Sequence, residues 1–162
     1  MKNGYYFLYR LLGILVNMYA YVILLIFVMT LFSGGPGWIM IGVFLCVCLV
    51  IYSTLSGRFG ILVLMLKKPI RFALKEWINV NAYISIVVYG ILLLCFTFTL
   101  THLGQVVDSQ KQIAARLPEG SMTFTKTQIM AAAELWGVIS LMVVGHCIWT
   151  LRLVRRFRDF FQ

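Results

Sequence analysis

A carboxyl group stands inside the apolar stretch MAAAELWGV, residues 130–138, and it is the first candidate for chemistry. Glu134 has small or apolar neighbours on both sides, so its charge needs a cation or hydrogen-bond donors close by. Ala131, Gly137 and Gly145 lie broadly on its side of a helix, and small residues mark helix–helix contact. The expectation is that the carboxyl faces protein rather than lipid. Donors at a matching depth are Thr97, Thr99, Thr101 and His102. Glu134 then reads as a hydrogen-bonded structural residue. The sharper alternative is a proton- or cation-responsive group, or an anchor for a partner's Arg or Lys.

Other polar residues follow helical spacing inside apolar runs. Gly13, Asn17 and Tyr21 are four apart, and so are Asn81, Ser85 and Tyr89, with Thr97 and Thr101 further along. Such side chains hydrogen-bond across membrane helices for about 0.6 kcal/mol each. Packing is the expected role, and a polar path between the first and third runs is the alternative. His146 and His102 fall at different depths, so a shared metal or haem is not expected, and each reads as a satisfied polar residue. Cys46, Cys48, Cys95 and Cys147 lack metal-finger spacing and read as small packing residues. There is no nucleophile elbow, Gly-rich phosphate loop or carboxylate cluster, so no catalytic residue, cofactor or metal is expected and the chain does not read as an enzyme.

The elements that must carry these residues are set by composition. Hydrophobic residues make up 62% of the 162, against about 45–50% apolar in a soluble domain. The excess exceeds what one small core can hide. Four runs approach the roughly 20 residues that a membrane helix needs: 11–32, 37–57, 79–101 and 128–151. The first is too long for a signal-peptide core and lacks a small-residue cleavage pattern, so it is expected to stay as a span.

The net charge of +9 gathers at span ends. No separate basic domain exists to bind nucleic acid, whereas anionic headgroups attract such ends. Lys111, Arg116 and Lys126 lie in the third connection, offset by Asp108 and Glu119; the other eleven of the 14 basic residues share the opposite side. Positive charge marks the cytoplasmic side, so both termini are expected there. Trp38 at the outer end, with Trp77 and Trp149 near the inner one, agrees. The lipid- or partner-facing basic residues are Lys67, Lys68, Arg71, Lys75, Arg152, Arg155, Arg156 and Arg158.

The stretch KKPIRFALKEW reads as a cytoplasmic amphipathic segment, with Pro69 in a first helical turn. ILVLML, residues 61–66, is too short to span and reads as an extension of the second helix. The third connection has room for one short helix ending before Pro118.

Residues 16–21, VNMYAY, resemble 80–85, VNAYIS, and Trp38 and Trp136 each precede an Arg-Phe pair by 20 residues. A doubled hairpin, 1–66 and 67–162, is therefore a reading of the single membrane domain.

The expected fold is an all-α integral membrane four-helix bundle, N-in/C-in, in a membrane that the compact loops suggest is the bacterial inner membrane. The expected function is a non-catalytic accessory or assembly subunit of a larger membrane complex, or else a homo-oligomer. One alternative is a small transporter or channel subunit using Glu134, Asn17 and Asn81. The other is a membrane sensor or regulator using the basic surface.

Overall fold

The computed structural model describes residues 2–34, 36–37, 39–114 and 124–161. Trp38, Arg116, Pro118 and Glu119 lie outside the described residues. Within them the chain forms helices joined by short links: α1 (Lys2–Phe32), α2 (Ile39–Phe59), α3 (Phe72–Thr101), α4 (Leu103–Ala114) and α5 (Lys126–Arg156). No strand forms among the described residues; an isolated parallel bridge joins Ile70 and Phe161.

Four helical stretches are long and apolar enough to cross a membrane: Gly4–Phe32, Ile39–Met65, Phe72–Thr101 and Lys126–Arg156. They contain almost all of the four expected spans but run further at the basic ends. At 1.5 Å per residue, the 31 residues of α1 reach about 46 Å, beyond a hydrocarbon core of about 30 Å. Their outward faces carry large apolar side chains, among them Phe7, Leu25, Phe32, Leu94 and Val138.

Local chemistry explains the ends. After α1, Gly34 adopts φ +81° and its N–H reaches the Leu31 carbonyl at 3.2 Å. That left-handed residue costs glycine little and stops the helix. α5 starts with a reciprocal cap: the Gln128 side chain accepts from the Thr125 N–H at 2.8 Å, and the Thr125 hydroxyl accepts from the Gln128 N–H at 3.3 Å. α2 runs on as a π-helical turn, Gly60–Met65, so residues 61–66 do prolong the second span as expected.

The stretch after it departs from expectation. Pro69 is not in a helix. Residues 67–71 form an irregular link in which Lys67 has φ +50° and the Ile70 N–H donates to the Phe160 carbonyl at 2.8 Å. The bridge to the C-terminal turn holds this backbone, and the residue before a proline disfavours helix in any case. Helix resumes at Phe72 as the start of α3 itself, so no separate amphipathic helix forms between the second and third spans.

Two compact units divide the chain. The first, residues 1–88 and 142–162, holds α1, α2, the π-turn, the first part of α3, the last part of α5 and the 3-10 turn Arg158–Phe160. Its core is Val16 and Ala20 from α1, Leu49, Tyr52 and Phe59 from α2, Ile78 and Ala82 from α3, and Val143, Cys147 and Val154 from α5. Phe161 is buried and stacks on Phe59 with ring centroids 6.0 Å apart. The second unit, residues 89–141, holds the rest of α3, α4 and the first part of α5, with Tyr89, Ala133 and Ser140 buried.

Candidate functional site

Polar side chains of α1, α2 and α5 meet inside the first unit. His146 and Thr150 are four residues apart, one turn along α5, and both are fully buried. The Thr150 hydroxyl donates to the His146 carbonyl at 2.9 Å. Tyr52 of α2 bridges to the Thr150 hydroxyl and to His146 Nδ1, both at 2.8 Å. Tyr9 of α1 approaches the same Thr150 oxygen at 3.1 Å and stacks on the His146 ring, centroids 5.0 Å apart. The Ser53 hydroxyl donates to Asn17 Oδ1 at 2.7 Å, tying α2 to α1. A buried network of this kind fixes which helix faces meet, because a lost partner strands a polar group away from water.

A cavity of ≈ 250 Å³ adjoins the network between α1 and α2. Arg10, Gly13 and Asn17 border it from α1, Ser53 and Arg58 from α2, and His146 from α5. His146 Nε2 is buried without a hydrogen-bond partner among the described residues. It faces Gly13, where an added Cβ would stand 3.1 Å from it. The Arg10 guanidinium donates to Met65 Sδ at 2.9 Å, a weak acceptor. Among the described residues the ion pairs are Asp108–Lys111 and Arg158–Asp159, so neither Arg10 nor Arg58 has a carboxylate beside it.

The sequence candidates have mixed fates. Asn17 pairs with α2 and not with the third helix. The Asn81 amide donates to its own helix at the Trp77 carbonyl, 2.8 Å away, and does not border this cavity. Ser85 Oγ is buried without a partner among the described residues, and Tyr89 is buried. Thr97 is exposed and donates to the Leu93 carbonyl. His146 is satisfied at one nitrogen only. Glu134 does not meet within this chain the donors expected for it: its residue is exposed, with no hydrogen bond or ion pair to a described residue. The donors expected for it are engaged elsewhere. Thr97, Thr99 and Thr101 donate to carbonyls of their own helix, and His102 stacks on Phe98 beside Thr101.

The basic residues gather in the first unit. Lys67, Lys68 and Arg71 are exposed on the link that the C-terminal turn holds, and Lys75 lies over the Phe72 and Phe161 rings. Arg155 donates to the Tyr83 hydroxyl at 3.1 Å. Arg152, Arg156 and Arg158 are exposed.

Tyr9, Tyr52, Ser53 and Thr150 did not stand out in the sequence. The four-residue spacing of His146 and Thr150 was a usable signal, but nothing local pointed to Tyr9 or Tyr52, which reach them from other helices.

The fold defines a class: an all-helical protein with four helices long and apolar enough to span a membrane. The chain matches no protein-family model, no curated protein and no solved structure.

Proposed function

We propose that the protein is a non-catalytic integral membrane subunit that docks another membrane protein through the exposed face of α5 around Glu134. Four crossings with both termini on the cytoplasmic side go with this reading, supported by the one-sided placement of the basic residues.

The observation that carries it is a carboxyl without a partner among the described residues. Glu134 lies about 12 Å along α5 from Lys126, at 1.5 Å per residue. Ala131, Leu135, Val138 and Leu141 share its face, and all are exposed. A carboxylate on a lipid-facing helix is unfavourable by up to about 2.5–3.5 kcal/mol at mid-bilayer, less nearer the surface. A Lys or Arg on a neighbouring helix removes that cost and gives the face its specificity. A second copy of this chain in the same orientation is a poor donor. Its basic residues cluster at the opposite end of the spans, apart from Lys111, Arg116 and Lys126 in the outer connection. The occupant is therefore a different membrane chain with a basic residue at that depth.

Tagged protein extracted in mild detergent is expected to bring down unrelated membrane subunits in fixed ratio. Glu134→Lys should reduce their recovery about tenfold, the scale of one close charge pair, while Glu134→Gln keeps part of it. Purification as a lone chain or homo-oligomer contradicts the proposal, as does full recovery with Glu134→Lys. The transporter reading needs Asn17 and Asn81 to line one wet space, and only Asn17 borders the cavity.

A further inference from the structure

We infer that the cavity between α1 and α2 binds a phosphoglycerol group, a phosphate carrying a free hydroxyl. This is independent of the Glu134 face.

The proton arrangement of the buried network sets one requirement. The His146 carbonyl can only accept, so the Thr150 hydrogen lies in that 2.9 Å contact. Thr150 Oγ1 then offers only lone pairs, so both tyrosines donate to it, Tyr9 at 3.1 Å and Tyr52 at 2.8 Å. With the Tyr52 hydrogen so placed, the 2.8 Å contact to His146 is filled by an Nδ1–H donating to the Tyr52 oxygen. The longer 3.4 Å approach of Tyr9 to the Ser56 carbonyl then goes without a hydrogen, and among the contacts of 3.1 Å or shorter this is the only assignment that puts one in each. In the neutral ring it leaves Nε2 with a lone pair, buried and unpartnered on the cavity wall. The ligand must bring a hydrogen-bond donor. A quinone carbonyl, which can only accept, does not fit.

The second requirement is charge. Arg10 and Arg58 border the same cavity without a carboxylate among the described residues. Guanidinium forks suit phosphate oxygens. Arg10 is three residues from Gly13, about 4.5 Å along the helix axis, so an anion at Arg10 leaves a short polyol arm to reach Nε2 past Gly13. The absence of a side chain at Gly13 keeps that approach open.

Size agrees. At ≈ 250 Å³ the cavity is below the roughly 300–1,000 Å³ of drug-sized sites and suits a small headgroup. Ile14 and Ile61 also border it and are exposed, which offers an apolar track for acyl chains. The same chemistry occurs in a phosphatidylglycerol headgroup and in free glycerol phosphate.

The test uses the full chain in nanodiscs, with retained lipid read by native mass spectrometry. Phosphatidylglycerol should be held about tenfold over phosphatidylcholine of the same acyl chains, the scale of a charge-assisted contact. Phosphatidylmethanol, which is equally charged but lacks the hydroxyl, should be held several-fold less than phosphatidylglycerol. Gly13→Ala, which fills the approach to Nε2 and crowds the His146 ring, and the doubly substituted Arg10→Gln/Arg58→Gln protein should each abolish the preference, the latter with elution and melting unchanged. If glycerol 3-phosphate displaces the lipid, the source is the soluble compound; if it does not, the source is the bilayer. Equal retention of phosphatidylglycerol and phosphatidylcholine, or of phosphatidylglycerol and phosphatidylmethanol, overturns the inference. So does undiminished preference in the Arg10→Gln/Arg58→Gln protein, whose changes leave the buried network intact.

Discussion

At the scale of single residues, the tyrosines that meet Thr150 are not equivalent. Tyr52 makes two contacts of 2.8 Å and is the partner of His146 Nδ1, whereas Tyr9 makes one of 3.1 Å and a longer approach of 3.4 Å to the Ser56 carbonyl. Tyr52→Phe strands a buried ring N–H and should lower stability by about 1–3 kcal/mol, with Tyr9→Phe nearer 1. Thermal unfolding of the two variants in one detergent gives the order, and a reversed order would show that the network is wrongly assigned. Lys67 holds φ +50° without being glycine. Lys67→Gly should raise the melting temperature or leave it unchanged, because glycine relieves up to about 1–2 kcal/mol of left-handed strain against a smaller entropic cost. Lys67→Val should lower it. None of this was legible locally. A hydroxyl or ring in an apolar run looks the same in sequence whether it bonds a distant helix or faces lipid. Glu134 shows the limit best: small neighbours predicted a protein-facing side, and the exposed face carries Ala131 as well as Leu135 and Val138.

At the scale of elements, helix content and order were legible because a long apolar run has few other solutions in lipid. The ends were less so. The Thr125-x-x-Gln128 cap was present in the sequence and places the start of α5 at Lys126, ahead of the hydrophobic onset at 128 that hydropathy alone suggested. The link at 67–71 could not be read, because its backbone is held by Phe160 and Phe161, some 90 residues away in the chain. Contact between α1 and α2 rests on Gly42. A methyl group there would overlap the Phe27 ring. Gly42→Leu should therefore push the two helices apart and destabilise the first unit by at least about 1–3 kcal/mol. Crosslinking of paired cysteines at Asn17 and Ser53 measures it directly, and an unchanged crosslinking yield would argue against close packing at Gly42.

At the scale of the whole molecule, the prediction concerns sidedness. The proposed four crossings would put both termini on one face, and the basic residues near them favour the cytoplasmic one. Labelling of single cysteines in intact cells should leave positions 3 and 158 protected and position 109 accessible. Labelling of 3 and 158 on opposite faces would refute the topology. The π-turn at Gly60–Met65 has a further consequence. Its i to i+5 bonding, seen in the Leu66 N–H to Ile61 carbonyl contact of 3.1 Å, fits one more residue into a turn than an α-helix takes. An in-frame loss of one codon there would let an ordinary turn carry the same rotation, so everything downstream would keep its phase and Ile70 would still meet the end of the chain. The same loss earlier in α2, where the winding is already ordinary, would swing everything downstream by about 100°. The wide turn thus holds the slack of the second span, a place where one residue can be lost without turning the distant stretches out of register.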